Sequence, residues 1–197
     1  MIDFEKYMIP AEEGFFSKLK ANREAQKNEK LLDNNAHEWF EREYGSKVCS
    51  IISKYSSAIY NEIAKVAKQT EKNLGVPSLF KIYKETPELS YVRPAFITPT
   101  HDYSVDVINV DYNKSVLYEK LDEDDDFGSS AESEFDKNVN KERLNNLSDK
   151  IEKEFNKLIP FTIKVKLIDD QPDICYNVSV EITISDLIEK YKTQNLD

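Results

Sequence analysis

The chain has 197 residues, 40% of them apolar, with eleven Tyr and ten Phe, which is enough to build a hydrophobic core and argues against a disordered chain. Its formal net charge of −10 is concentrated: residues 122–136 hold eight acidic side chains and no Lys or Arg, leaving 29 acids against 27 bases for everything else. A balanced body without a run of Lys and Arg argues against direct nucleic-acid binding, and no eighteen-residue apolar window is present to span a membrane.

The amino terminus, "MIDFEKYMIPAEEGFF", has acids where a secretion signal needs a basic start. Cys49 and Cys175 each stand alone, without a second ligand at metal spacing, and read as free thiols in a reducing, cytoplasmic setting. Abundant Lys, Asn, Ile and Tyr beside four Gly suggests an AT-rich coding genome, such as that of a low-GC bacterium or its phages.

From Pro10 to Leu32 the spacing predicts a peripheral helix with acids in its first turn and Phe15, Phe16 and Leu19 on one side. "NNAHEWFEREYG" predicts a second, short helix, with Asn35 as its cap, Glu38 three residues on and Gly45 as its stop. The strongest periodicity follows: Val48, Ile52, Tyr55, Ile59, Ile63, Val66 and Leu74 define a long amphipathic helix that ends at Gly75 and Pro77. Tyr55 and Thr70 dilute this stripe as a coiled-coil seam, so packing within the chain is the expectation and homo-oligomerisation the alternative.

"PSLFKIYKETPE", with a proline near each end, reads as a connection. "LSYVRPAFI", "YSVDVINV" and "SVLYEKL" are rich in β-branched and aromatic residues, and predict a three-stranded antiparallel meander with Pro94 at an edge or bulge. Beyond the acidic stretch, Phe135, Val139, Leu144, Leu147, Ile151, Phe155 and Leu158 share one face of a helix expected over 132–158, with Ser129 and Glu132 as its capping box and Pro160 as its limit. Strict alternation in "FTIKVKLI" and "ICYNVSVEITI" predicts a hairpin turning at "DDQPD", and Ser185 then caps a last short helix. The expected fold is α+β: a helical region over 1–76, then a domain over 77–197 in which an antiparallel sheet packs against one long helix.

Catalytic signals are sparse. Four scattered glycines cannot build a phosphate-cradling loop, so ATP or dinucleotide binding by the known loops is not expected. His37 reads as a solvent-facing helix residue, and His101, beside Asp102, as a turn residue with local hydrogen bonds. Asp173 and Glu181 are spaced as in a metal-dependent nuclease, but Thr183 stands where that pattern needs a lysine. Asp122, Asp124 and Asp126 alternate as in a calcium loop, yet Phe127 occupies the required glycine position and Ser133 the position of the closing Glu. No cofactor, metal site or catalytic set is expected.

The acidic segment remains. Part of it is explained as the start of a helix, where acids are favoured. The five contiguous acids Asp122, Glu123, Asp124, Asp125 and Asp126 are not. Followed by Phe127, and with Glu132 and Glu134 beyond, they would suit docking in a basic, phosphate-binding groove of another protein, with charge speeding the encounter and the ring anchoring it. The expected function is therefore that of a non-enzymatic acidic binding protein, such as a phage-encoded anti-defence inhibitor of a nucleic-acid-handling protein in the bacterial host cytosol. The alternatives are a virion or assembly protein making oligomeric contacts and a metal-dependent enzyme using His101 and the acidic run.

Overall fold

The computed structural model describes residues 9–92, 98–121, 126–170 and 174–195. It is an α+β fold in which helices and one antiparallel sheet share a single core.

The amino-terminal region is one helix, α1 (Ile9–Leu74), of 66 residues and roughly 100 Å in length at 1.5 Å per residue. The three separate helices expected from capping signals are thus joined. Asn35 lies inside the helix, and the buried positions Ala36, Trp39, Phe40, Tyr44, Val48, Ile51, Ile52, Ile59 and Ile63 follow each other without a phase break. Continuous burial of one stripe outweighs a weak cap and a glycine worth about 1 kcal/mol. Gly45 is buried in mid-helix, and a Cβ there would lie 3.6 Å from Leu89 Cδ2 of the neighbouring strand. The helix ends where expected, with Gly75 at φ +68° accepting the left-handed geometry. At the other end, residues 20–31 are all exposed and burial begins only at Leu32.

The strands are β1 (Phe80–Lys84), β2 (Leu89–Val92), β3 (Thr100–Tyr112), β4 (Ile163–Asp170) and β5 (Ile174–Thr183). β1 falls in the segment read as a connection. It pairs with the carboxy-terminal half of β3, from Phe80 opposite Tyr112 to Lys84 opposite Ile108, while β2 pairs with the other half, from Leu89 opposite Val105 to Val92 opposite Asp102. β1 and β2 are therefore two pieces of one broken edge strand, interrupted around Pro87, in place of two legs of a meander. β5 takes the other side of β3, with a bulge at Val107, and β4 closes the far edge. The hairpin of β4 and β5 is the one expected; its turn at 171–173 lies outside the described residues, as does Pro94.

"SVLYEKL", expected as the third strand, is helix α2 (Lys114–Leu121). Asn113 starts it, its carbonyl accepting from Leu117 N at 2.9 Å and its side-chain oxygen from Ser115 Oγ at 2.9 Å. This local capping wins because the partnering edge of β3 is already taken by β1. The helix expected over 132–158 is two: α3 (Phe127–Asn138) and α4 (Lys141–Leu158). α3 starts two residues before the expected Ser129 cap, and Asp126 precedes it without a side-chain capping bond. Asn140 makes the break, its side chain accepting from Arg143 N at 3.0 Å and so starting α4 anew. α5 (Ile184–Asn195) follows β5 directly.

One face of the sheet carries His101, Tyr103, Val105, Ile108 and Val110 from β3, Tyr176, Val178, Val180 and Ile182 from β5, and Ile163 and Val165 from β4, all buried. Helix α1 crosses this face and α4 lies beside it, so Phe40, Ile52, Ile59 and Phe155 fill the space between. Phe40, Trp39, Tyr44 and Phe161 meet edge to face or stacked, with centroids 5.4–6.0 Å apart. The opposite face is polar, with Asp102, Glu181 and Lys164 in one cross-strand row.

Candidate functional site

Two places qualify: the acidic segment singled out by its charge, and a cluster that only the fold assembles.

Asp122, Glu123, Asp124 and Asp125 lie outside the described residues. Asp126 is exposed in the turn before α3, and Phe127 is half-buried, packed against the core. Its ring therefore offers only part of its surface to a partner. Ser129, Ser130, Ser133 and Asp136 are exposed, whereas Glu132 and Glu134 are half-buried. Glu134 accepts from Asn73 Nδ2 of α1 at 2.7 Å, and this bond first, with Asn138 and Lys137 adding to it, holds its carboxyl below the usual carboxylate range. Glu134 thus ties α3 to α1. Glu132 and Asp136 stand near Tyr112, whose phenol is pushed well above its ordinary value, first by burial and then by these two charges.

The second place joins the chain's two histidines, which the sequence separates by 64 positions and which were expected in solvent and in a turn. His101 lies in β3, not in a turn, and is 3% exposed. Its Nε2 is 2.7 Å from Asp33 Oδ1 of α1 and its Nδ1 3.0 Å from the Tyr91 hydroxyl of β2. A carboxylate only accepts, so Nε2 carries a proton toward Asp33, and the other ring nitrogen meets the Tyr91 hydroxyl. His37 is half-buried one helical turn beyond Asp33, its ring 3.9 Å from that of Tyr91 and 5.7 Å from that of His101. Its Nδ1 is 3.1 Å from the Tyr103 hydroxyl.

Tyr103 is fully buried, and burial pushes its phenol far above its ordinary value. It therefore stays protonated and shares a hydrogen bond with His37 Nδ1, while His37 Nε2 lies 3.9 Å from Glu41 Oε1. Burial is also the first cause that lowers the His37 pKa, with Glu41 opposing and the nearby His101 adding to it. The chain of contacts runs Asp33 to His101 to Tyr91, across the ring face to His37, and on to Tyr103. It fastens α1, at the point where the exposed arm meets the body, to the edge pair β2 and β3.

Part of this was within reach of the sequence. Asp33, His37 and Glu41 recur every four residues, hence on one helix face, and His101, Tyr103 and Val105 alternate as an inward strand face. The missing information was the pairing of β2 with β3, which sets Tyr91 opposite Tyr103.

Chemically the cluster is suited to holding and orienting protons. Both nitrogens of His101 are engaged in a buried position, and among the described residues no group of three His, Cys, Asp or Glu side chains is placed to hold a metal ion. Cys49 is half-buried, and burial pushes its thiol up, which disfavours the thiolate. Among the described residues no helix is long and apolar enough to cross a membrane. No known protein family, curated protein or solved structure matches the chain.

Proposed function

We propose that this chain is a non-enzymatic binding protein that docks residues 122–136 into the basic, phosphate-binding groove of a partner, inhibiting or regulating a nucleic-acid-handling protein in the manner of a phage-encoded anti-defence inhibitor acting in the host cytosol. The observation that carries this reading is the segregation of charge, eight acids and no base within fifteen residues of an otherwise nearly balanced chain. Exposure of Asp126 and Asp136 is in keeping with it. So is the engagement of both histidines in a hydrogen-bonded network, which leaves them no evident catalytic duty. Like charges packed this tightly repel each other, and a Lys- or Arg-rich partner would relieve that repulsion while adding attraction.

The test is affinity purification from host lysate with the wild-type chain beside a variant carrying Asp122→Asn, Asp124→Asn, Asp125→Asn and Asp126→Asn, at low and moderate salt. A basic partner lost in the variant and weakened by salt is the expected result. A partner held equally by both chains would remove function from the segment.

A second reading, an assembly or virion component, is favoured by one observation: α1 is continuous through residues 20–31, all of which are exposed. A polar, exposed helical arm on a packed body is a natural contact element. Light scattering at rising protein concentration tests it, and a strictly monomeric chain would count against it. A metal-dependent enzyme built on His101 and the acidic run has the least support, because both nitrogens of that ring are engaged.

A further inference from the structure

We infer that the groove between α1 and the free edge of β1 is a docking site for an extended, acidic peptide segment of a partner protein, bound by addition of a strand to the sheet. Among the described residues, β1 ends the sheet order on its side. The bonds Asn113 N–H to Leu79 O at 2.7 Å and Glu85 N–H to Val107 O at 2.9 Å fix which residues of the segment face β3. In an antiparallel pair such residues alternate. Leu79, Lys81, Tyr83 and Glu85 turn their backbone groups to β3, so Phe80, Ile82 and Lys84 turn theirs to the outer edge. Glu71 of α1 accepts from Phe80 N at 3.1 Å, closing one end of that edge. The N–H and C=O groups of Ile82 and Lys84 then define the register in which an added strand would pair.

The groove beside this edge has a volume of about 590 Å³, within the range of roughly 300–1,000 Å³ usual for ligand clefts. Its walls have matched lengths. Tyr60, Ala64, Lys68 and Glu71 lie along one face of α1 over about 16 Å, and Phe80 and Ile82 alternate along a five-residue strand of about 17 Å. An extended segment of five residues fits both.

Charge selects the occupant. Lys65 and Lys68 line the helical wall, and Lys84 reaches across the far end, 5.1 Å from the Tyr60 ring centroid and 3.0 Å from Ser57 Oγ. Against them stand Glu71, occupied by the Phe80 amide, and Glu62, which binds Lys65 and Arg143. A strand with acidic side chains on its helix-facing side would meet these lysines while its backbone pairs with Ile82 and Lys84. Edge lysines also discourage indiscriminate pairing, so a neutral or basic strand is disfavoured at the same place.

The probe is a seven-residue peptide alternating Glu and Val, fluorescein-labelled at its amino terminus, titrated by anisotropy at low salt with amide hydrogen exchange of the protein measured in parallel. Binding should slow exchange at the Ile82 and Lys84 amides, and should weaken at least tenfold in the doubly charge-reversed variant Lys65→Glu/Lys68→Glu, whose sites are exposed and whose fold is checked by circular dichroism. A Lys-and-Val peptide should not bind, and N-methylation of the inner glutamates, whose N–H groups face β1 in an antiparallel added strand, should abolish protection. Absence of binding at 1 mM peptide, on the order of the weakest specific affinities, would overturn the inference. So would equal binding of the Lys-and-Val peptide, or binding that leaves both amides unprotected. These outcomes are independent of residues 122–136, so failure here and failure of the proposed function are separate results.

Discussion

If the Asp33 to His101 bond fastens α1 to the sheet, removing its two ends should be strongly non-additive. His101→Phe keeps a buried aromatic ring but deletes both nitrogen contacts, to the Asp33 carboxylate and to the Tyr91 hydroxyl. A hydrogen bond to a charged group contributes about 1.5–3 kcal/mol and a neutral one about 0.5–1.5. The side chain of Asp33 is 29% exposed while that of His101 is 4% exposed, so water rescues part of the carboxylate and the charged bond belongs at the lower end. The single variant should therefore cost about 2–3 kcal/mol, and Asp33→Ala about 1–2. In the double variant the coupling recovered should be about 1–2 kcal/mol. Urea unfolding followed by the fluorescence of Trp39, the only tryptophan, which is 3% exposed and packed on Phe161 and Tyr191, gives the midpoints. Any packing gained by the phenyl ring cancels, because it enters both arms of the cycle. Additivity within about 0.3–0.5 kcal/mol would refute the reasoning and reduce the contact to coincidence.

The neutral His37 predicts a pH effect of definite sign. Its pKa is lowered in the folded state, so the unfolded chain binds the proton first; the stability contributed by the neutral ring is intact above the ordinary value of about 6.5 and declines as pH falls through it toward the lowered value. Urea midpoints at pH 7.5 and pH 5.0 should differ less in His37→Phe than in the wild type, and a larger difference in the variant would contradict the assignment. Gly45 inside α1 and Gly75 just past its end should respond in opposite directions. Gly45→Ala should stabilise by about 0.5–1 kcal/mol, since its Cβ meets Leu89 at an ordinary 3.6 Å inside a helix, whereas Gly75→Ala should cost about 1 kcal/mol at its positive φ; thermal melts read both, and a destabilising Gly45→Ala would argue for a helix stop there. Asn140→Ala should cost about 0.5–2 kcal/mol by removing the cap that starts α4, and an unchanged midpoint would mean that α3 and α4 run on as one helix without it.

What the sequence made legible divides by the range of the interactions involved. Alternation in β4 and β5 and the stripe in α4 are local patterns that burial bears out at most positions, the exposed Leu158 of α4 and the buried Asn177 of β5 excepted, and the α+β class follows from them. The errors arose where a local preference met a non-local one. Asn35 and Gly45 are good boundary residues in isolation, yet the stripe from Ala36 to Ile63 lies on a sheet long enough to hold an uninterrupted helix. "SVLYEKL" has the composition of a strand, but the edge where it would pair is filled by Phe80–Lys84 from earlier in the chain. The same asymmetry governs the candidate sites. Charge segregation over 122–136 needs no fold to be seen, and so it was visible first. The joining of Asp33, His37, Tyr91, His101 and Tyr103 depends on β2 and β3 pairing beneath one turn of α1, and Lys84 joins Lys65 and Lys68 only because α1 runs beside an edge strand. A cluster made by three separated segments cannot be read from spacing within any one of them. For the same reason its perturbation is the more diagnostic experiment: local helix content would survive the loss of His101, whereas the seating of α1 on the sheet, reported by Trp39, would not.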